Sequence, residues 1–146
     1  MFQRLFRMLL WASAFILFLG LLSKALLLHN APIMWSMNRD FVTGMTNLRT
    51  TQLALIFDFV GLALVCGLRT NGSRSVALIS VGGIFIFYHV IGSIVGAPLL
   101  CPCLSGLNSI VHISTQSFVL LSIFGALTLV ITGILAAIIG DPILTM

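Results

Sequence analysis

Charge is what this sequence of 146 residues has least of, with charged residues at 7% of the chain. A soluble domain carries about 25% charge, and that charge solvates its surface. Seven basic and three acidic side chains cannot wet a globule of this size, which excludes a water-soluble enzyme and equally a disordered tail. Nor do the bases cluster. Arg4, Arg7, Lys24, Arg39, Arg49, Arg69 and Arg74 stand singly, so no positive stripe exists to track phosphates and nucleic acid is not an expected partner. Internal repeats, low-complexity tracts and linkers are also missing, so a single membrane domain over 1–146 is expected.

What is present is apolar sequence: 60% of the residues and a mean hydropathy of +1.21. Such a chain has the bilayer as its main solvent. Four windows, near 8–28, 52–68, 76–97 and 117–139, are long enough to cross roughly 30 Å of hydrocarbon, which takes about 20 helical residues. The second is the shortest and is expected to gain a turn from Leu48 to Thr51. Helices follow because an open sheet would leave backbone groups unsatisfied in lipid. The fold class read here is all-α, a polytopic membrane protein built as a four-helix transmembrane bundle.

The first window follows Arg4 and Arg7, but it runs to Leu28 without a convincing small-residue cleavage site. It therefore reads as a retained helix rather than a signal peptide. Arg4 and Arg7 flank the first span, and Arg69 and Arg74 flank a Thr70-Asn71-Gly72-Ser73 turn between the second and third. Basic flanks belong inside, so both termini are expected in the cytoplasm and the connection from Pro98 to Gln116 outside. Between the first two spans, Met34, Met37, Phe41, Met45 and Leu48 recur at helical steps, and Trp35 suits the headgroup zone. This predicts an interfacial amphipathic helix between helices 1 and 2, its apolar face filled by methionine. A thioether copper site is the rival reading of those methionines.

Three ionisable side chains fall inside the spans. Lys24 lies about one turn from the outer end of the first, with Asp58 about 10 Å into the second and His89 about 12 Å into the third, at 1.5 Å per residue. Charges buried there pair or face a polar cavity. Lys24 and Asp58 are the natural ion pair, and His89 is a third partner or a proton carrier. Gly82, His89, Gly92, Ser93 and Gly96 share one face, which should look inward, with Tyr88 pointing elsewhere. Two readings stay open: an ion pair that clamps helices, and a group that moves protons or binds a cofactor. A haem would want a second histidine at matching depth, and His29 and His112 sit near the surface instead. For close helix approach, Gly92 to Gly96 forms a GxxxG, and Gly125, Thr128, Thr132, Ala136 and Gly140 recur on the fourth span. The same surfaces leave a homo-oligomer open.

Cys66 stands alone near the inner end of the second span and reads as buried packing. Cys101 and Cys103 lie in Cys101-Pro102-Cys103-Leu104-Ser105-Gly106, just beyond the third span in an oxidising compartment. A Cys-x-Cys disulfide closes a very small ring and should be strained and easily reduced, with Pro102 stiffening the residue between the sulfurs. Redox exchange, a structural bridge or free thiols, and metal binding with His112 all remain open; two thiols are too few for a closed zinc site.

These motifs together resemble the MauE-like proteins, within the DoxX-like group of small four-helix bacterial membrane proteins. The resemblance rests on Gly20-Leu21-Leu22-Ser23-Lys24 ending the first span and on Asp58-Phe59-Val60-Gly61-Leu62-Ala63-Leu64 in the second. The Cys101-Pro102-Cys103-Leu104-Ser105-Gly106 stretch completes it. The sequence departs from the family pattern in having Asp58 where Glu is usual, Ser105 before Gly106, and no second outer cysteine pair. The resemblance implies thiol–disulfide exchange at the outer face of the bacterial cytoplasmic membrane, with Cys101 and Cys103 as the redox pair and a thioredoxin-like partner. No cofactor is expected from the residues themselves; a membrane quinone is left open as the electron partner, with no residue marking a site for it. An accessory or scaffold subunit of a larger membrane complex is the alternative reading.

Overall fold

A computed structural model describes residues 2–30, 36–40, 42–68, 70–95 and 115–139. Four helices make up nearly all of it: α1 (Phe2–Asn30), α2 (Asn47–Gly67), α3 (Asn71–Val95) and α4 (Thr115–Ile139). Each is long and apolar enough to cross a membrane, and among the described residues there are no strands beyond a single bridge. The chain is an all-α, multi-pass membrane bundle.

The helices form a ring in chain order. α1 packs on α2, α2 on α3, α3 on α4, and α4 closes back on α1. Successive helices run antiparallel. The inner core holds Leu17, Val65, Leu78, Val81 and Leu129, all buried. Outward stand Trp11, Phe15, Phe59, Phe87, Phe124 and Ile138. In water this belt of exposed apolar side chains would be an aggregation hazard; against acyl chains it is the solvated surface.

Small residues set the closest approach. A Cβ on Gly82 would lie 2.8 Å from the Ala126 carbonyl oxygen and 3.0 Å from Leu129 Cβ, so α3 and α4 touch backbone to backbone there. Without a hydrophobic drive between helices in lipid, such contact is what packing energy rests on. Thr128 and Thr132 return their hydroxyls to the carbonyls of Phe124 and Thr128, each at 2.8 Å, which satisfies polar groups that lipid could not.

All four helices begin before the predicted spans, and α1 also ends after its own. α2 does gain the expected turn and begins at a Thr46 cap whose hydroxyl accepts from Arg49 N–H at 3.4 Å. The predicted turn at Thr70 to Ser73 is instead the start of α3. Thr70 caps it, its hydroxyl accepting from Ser73 N–H at 3.4 Å and its carbonyl from Arg74 N–H at 3.2 Å. The Thr70 hydroxyl and carbonyl together satisfy two first-turn donors of α3.

The connection between α1 and α2 departs from the expected interfacial helix after Met37. Among the described residues of that connection, Ser36 and Met37 are helical, and residues 38–40 and 42–46 make a tight reversal closed by an antiparallel bridge between Arg39 and Thr46. Residues 31–35 and Phe41, on which part of that prediction rests, lie outside the described residues. Asp40 Oδ1 accepts from Val42 N–H at 3.0 Å and Thr43 N–H at 2.8 Å, and also takes the Thr43 hydroxyl at 3.1 Å. Gly44 follows at φ 68°. An aspartate that bonds its own following backbone offers the chain an alternative to helix, and here it outweighs the apolar period.

Candidate functional site

Side chains from all four helices converge in the half of the bundle where α1 and α3 end. Lys24 of α1 meets Asp58 of α2, with Nζ 2.5 Å from Oδ2. Both are almost fully buried, at 1% and 2% side-chain exposure, so neither charge has water as a substitute partner. The Phe85 ring of α3 faces the same ammonium, 4.9 Å from Nζ to the ring centroid, which adds cation–π attraction in a desolvated place. One turn further along α3, His89 Nε2 lies 2.7 Å from the Ser122 hydroxyl of α4. That hydroxyl in turn donates to the Val119 carbonyl at 3.1 Å.

Local sequence explains why this cluster forms. Gly20 lies one turn before Lys24, and a Cβ there would lie 2.7 Å from Asp58 Oδ2 and 3.4 Å from Lys24 Nζ. The missing side chain at position 20 is the space that the carboxylate occupies. Ser13, Leu17, Gly20 and Lys24 fall on one face of α1. On α2 the matching buried face is Thr51, Asp58, Gly61 and Val65.

The cluster forms the inner wall of a cleft of about 290 Å³ between α1 and α4. Lys24, Asp58, His89 and Ser122 supply its polar end, and Leu121 and Phe124, both exposed, rim its mouth. Because those rim residues stand on the membrane-facing surface of α4, the cleft opens sideways. Its volume is near the lower limit of about 300 Å³ for small-molecule sites. The Lys24 and Asp58 charges offset one another, so the cleft suits a neutral group with hydrogen-bond acceptors more than an ion.

The three buried ionisable residues picked out from sequence are thus brought together, two as a direct pair and His89 through the shared cleft. Of the inward face drawn for α3, Gly82, His89 and Gly92 are buried, but Ser93 is exposed. Tyr88 does point elsewhere. Its hydroxyl donates to Asp40 Oδ2, which ties the 38–46 reversal to α3. Sequence reasoning gave no role to Asp40 or Ser122. The Asp40-to-Thr43 spacing was the available sign for the first, since it matches an Asx turn; a lone serine in an apolar helix carries no comparable sign. Cys66 is exposed rather than buried, a consequence of its helical phase next to buried Val65.

Cys101, Cys103 and His112 lie outside the described residues. Chain order alone joins their segment to the end of α3 and the start of α4, the end of the bundle nearest the cleft. Among the described residues no group of three or more His, Cys, Asp or Glu is placed to hold a metal ion. No protein-family model matches this chain, and neither does any curated protein or solved structure.

Proposed function

We propose that the chain is a MauE-like, membrane-embedded thiol–disulfide exchange component in which Cys101 and Cys103 form the redox pair. The observation that carries this reading is the four-helix convergence of Lys24, Asp58, His89 and Ser122 on a lateral cleft. It lies at the end of the bundle to which the Cys101-Pro102-Cys103 segment is joined. Polar groups are costly in lipid and mark a functional site unless they serve only each other. Here they line a space open to the membrane.

On this proposal the two thiols lose two protons and two electrons as their S–S bond forms, and a lipid-soluble quinone takes up both to become a quinol. The oxidised pair then passes its disulfide to an external thioredoxin-like partner. His89, held by Ser122, and the Lys24–Asp58 pair supply and receive protons beside the cleft, where a neutral carbonyl head fits the balanced charge. The proposed setting is a bacterial cytoplasmic membrane, with both termini inside and the cysteines outside, following the basic flanks.

The test is capture of a mixed disulfide. A Cys103→Ser variant leaves the Cys101 thiol without its resolving partner, and acid quenching followed by alkylation in intact cells should trap it on a second protein. Thiols that stay fully reduced in wild-type cells, with no adduct in the variant, would refute the proposal.

A second reading, an accessory subunit of a larger membrane complex, is favoured by the closed geometry of Lys24 and Asp58, which fits a structural clamp. It predicts a stable larger assembly after gentle solubilisation and cysteines whose replacement by serine leaves that assembly intact.

A further inference from the structure

The opposite end of the bundle carries a second concavity, independent of the cysteines and the polar cleft. A groove of about 260 Å³ lies where α1, α2 and α3 meet, lined by Arg7, Leu10, Trp11, Ala14, Val65, Cys66 and Arg74. Its two cations come from different helices, Arg7 from α1 and Arg74 from the first turn of α3. Arg74 is half-buried, and its Nε is fully buried without a hydrogen-bond partner among the described residues. Neither guanidinium forms an ion pair with a described carboxylate, since Asp58 is taken by Lys24 and Asp40 by Tyr88 and the reversal around it. A buried donor with no acceptor is a cost that native proteins rarely leave standing.

The rest of the lining is apolar and climbs toward the membrane interior, since Leu10, Ala14 and Val65 also border the core. Trp11 is exposed beside it. The groove therefore has two cations at the bundle end and an apolar wall above them, which is the polarity of a phospholipid standing in its leaflet. Arginine presents a planar fork that matches phosphate oxygens two at a time, and basic pockets between transmembrane helices take anionic head groups. We propose that this groove is a binding site for one anionic phospholipid, with its phosphate held by Arg7 and Arg74 and an acyl chain lying along Leu10, Trp11 and Ala14.

Trp11 gives the site its own reporter. The chain has two tryptophans, so a Trp35→Phe background leaves Trp11 as the one fluorophore of its kind. The full chain is reconstituted in phosphatidylcholine vesicles, with brominated phosphatidylglycerol or brominated phosphatidylcholine added in increasing proportion. The site predicts that Trp11 quenching by the anionic lipid reaches half its limit at a mole fraction about tenfold lower than by the zwitterionic one. Choline's cation offsets the phosphate charge that the glycerol head group leaves free, and the tenfold ratio corresponds to about 1.4 kcal/mol. Arg7→Gln and Arg74→Gln should each remove most of the preference, and added salt should weaken it. Arg7 is exposed, so its variant is expected to fold even if the Arg74 one does not. Equal quenching by the two lipids, or a preference that survives Arg7→Gln, overturns the site. Millimolar inorganic phosphate should leave the quenching in place because the acyl chain holds the lipid; displacement by phosphate alone would overturn the lipid assignment.

Discussion

Removing one partner of the buried ion pair should cost far more than removing both. Lys24 Nζ and Asp58 Oδ2 are 2.5 Å apart, at 1% and 2% side-chain exposure. In Asp58→Val the ammonium keeps only the Phe85 ring, 4.9 Å away, which it already has in the wild type and which offsets nothing new. Breaking a buried pair from one side costs about 3–5 kcal/mol, whereas replacing both members with apolar groups of similar volume is neutral or stabilising. For a chain of this size each kcal/mol moves the midpoint by about 2–4 °C. Asp58→Val and Lys24→Met should therefore each lower Tm by on the order of 10 °C. The Lys24→Met/Asp58→Val double variant should melt within a few degrees of the wild type. Thermal unfolding in detergent micelles, followed by circular dichroism, reads all four proteins. If the double variant lost as much as the two single ones added together, the two residues would be energetically independent rather than one interacting unit.

Three further outcomes follow from the packing. Gly20→Ala puts a methyl group 2.7 Å from Asp58 Oδ2, so the carboxylate must move off Lys24; a loss of about 1–3 kcal/mol is expected, read as a lower Tm that is absent in the Lys24→Met/Asp58→Val background. Tyr88→Phe removes the hydroxyl that donates to Asp40 and should speed amide exchange at Val42, Thr43 and Gly44 while leaving α1 to α4 protected; unchanged exchange would mean the reversal holds itself. Gly82→Leu places a side chain against the Ala126 carbonyl, 2.8 Å from the new Cβ, and should cost more than about 3 kcal/mol by parting α3 from α4. Normal stability of that variant would show the approach to be loose.

The spans were legible because the lipid leaves so few alternatives: an apolar run of about 20 residues has to be a helix. Lys24 with Asp58 was legible for a related reason, as two opposite charges at similar depth have nothing else to pair with in hydrocarbon. The reversal at residues 38–46 was not. There the helical period of Met37, Met45 and Leu48 competes with a local Asp40 network and a Gly44 at positive φ, and counting apolar spacing does not weigh hydrogen bonds against it. Met37 and Met45 end up exposed, pointing to where lipid or headgroups would lie. The Ser122 partner of His89 belongs to a third kind of contact. It depends on the rotation of α4 against α3, which is set by backbone approach at Gly82 rather than by anything within either helix's own sequence.

The sharpest test of the central claim asks whether the buried cluster serves the cysteines or merely holds the helices. Cells carrying the wild type or the Lys24→Met/Asp58→Val double variant receive a pulse of reductant, and timed alkylation then follows the reoxidation of Cys101 and Cys103. The account predicts that the pair reoxidises in the wild type and does so about a hundredfold more slowly in the folded double variant, as expected when positioned proton carriers are lost. Equal rates in the two proteins, or thiols that never reoxidise in the wild type, would contradict it.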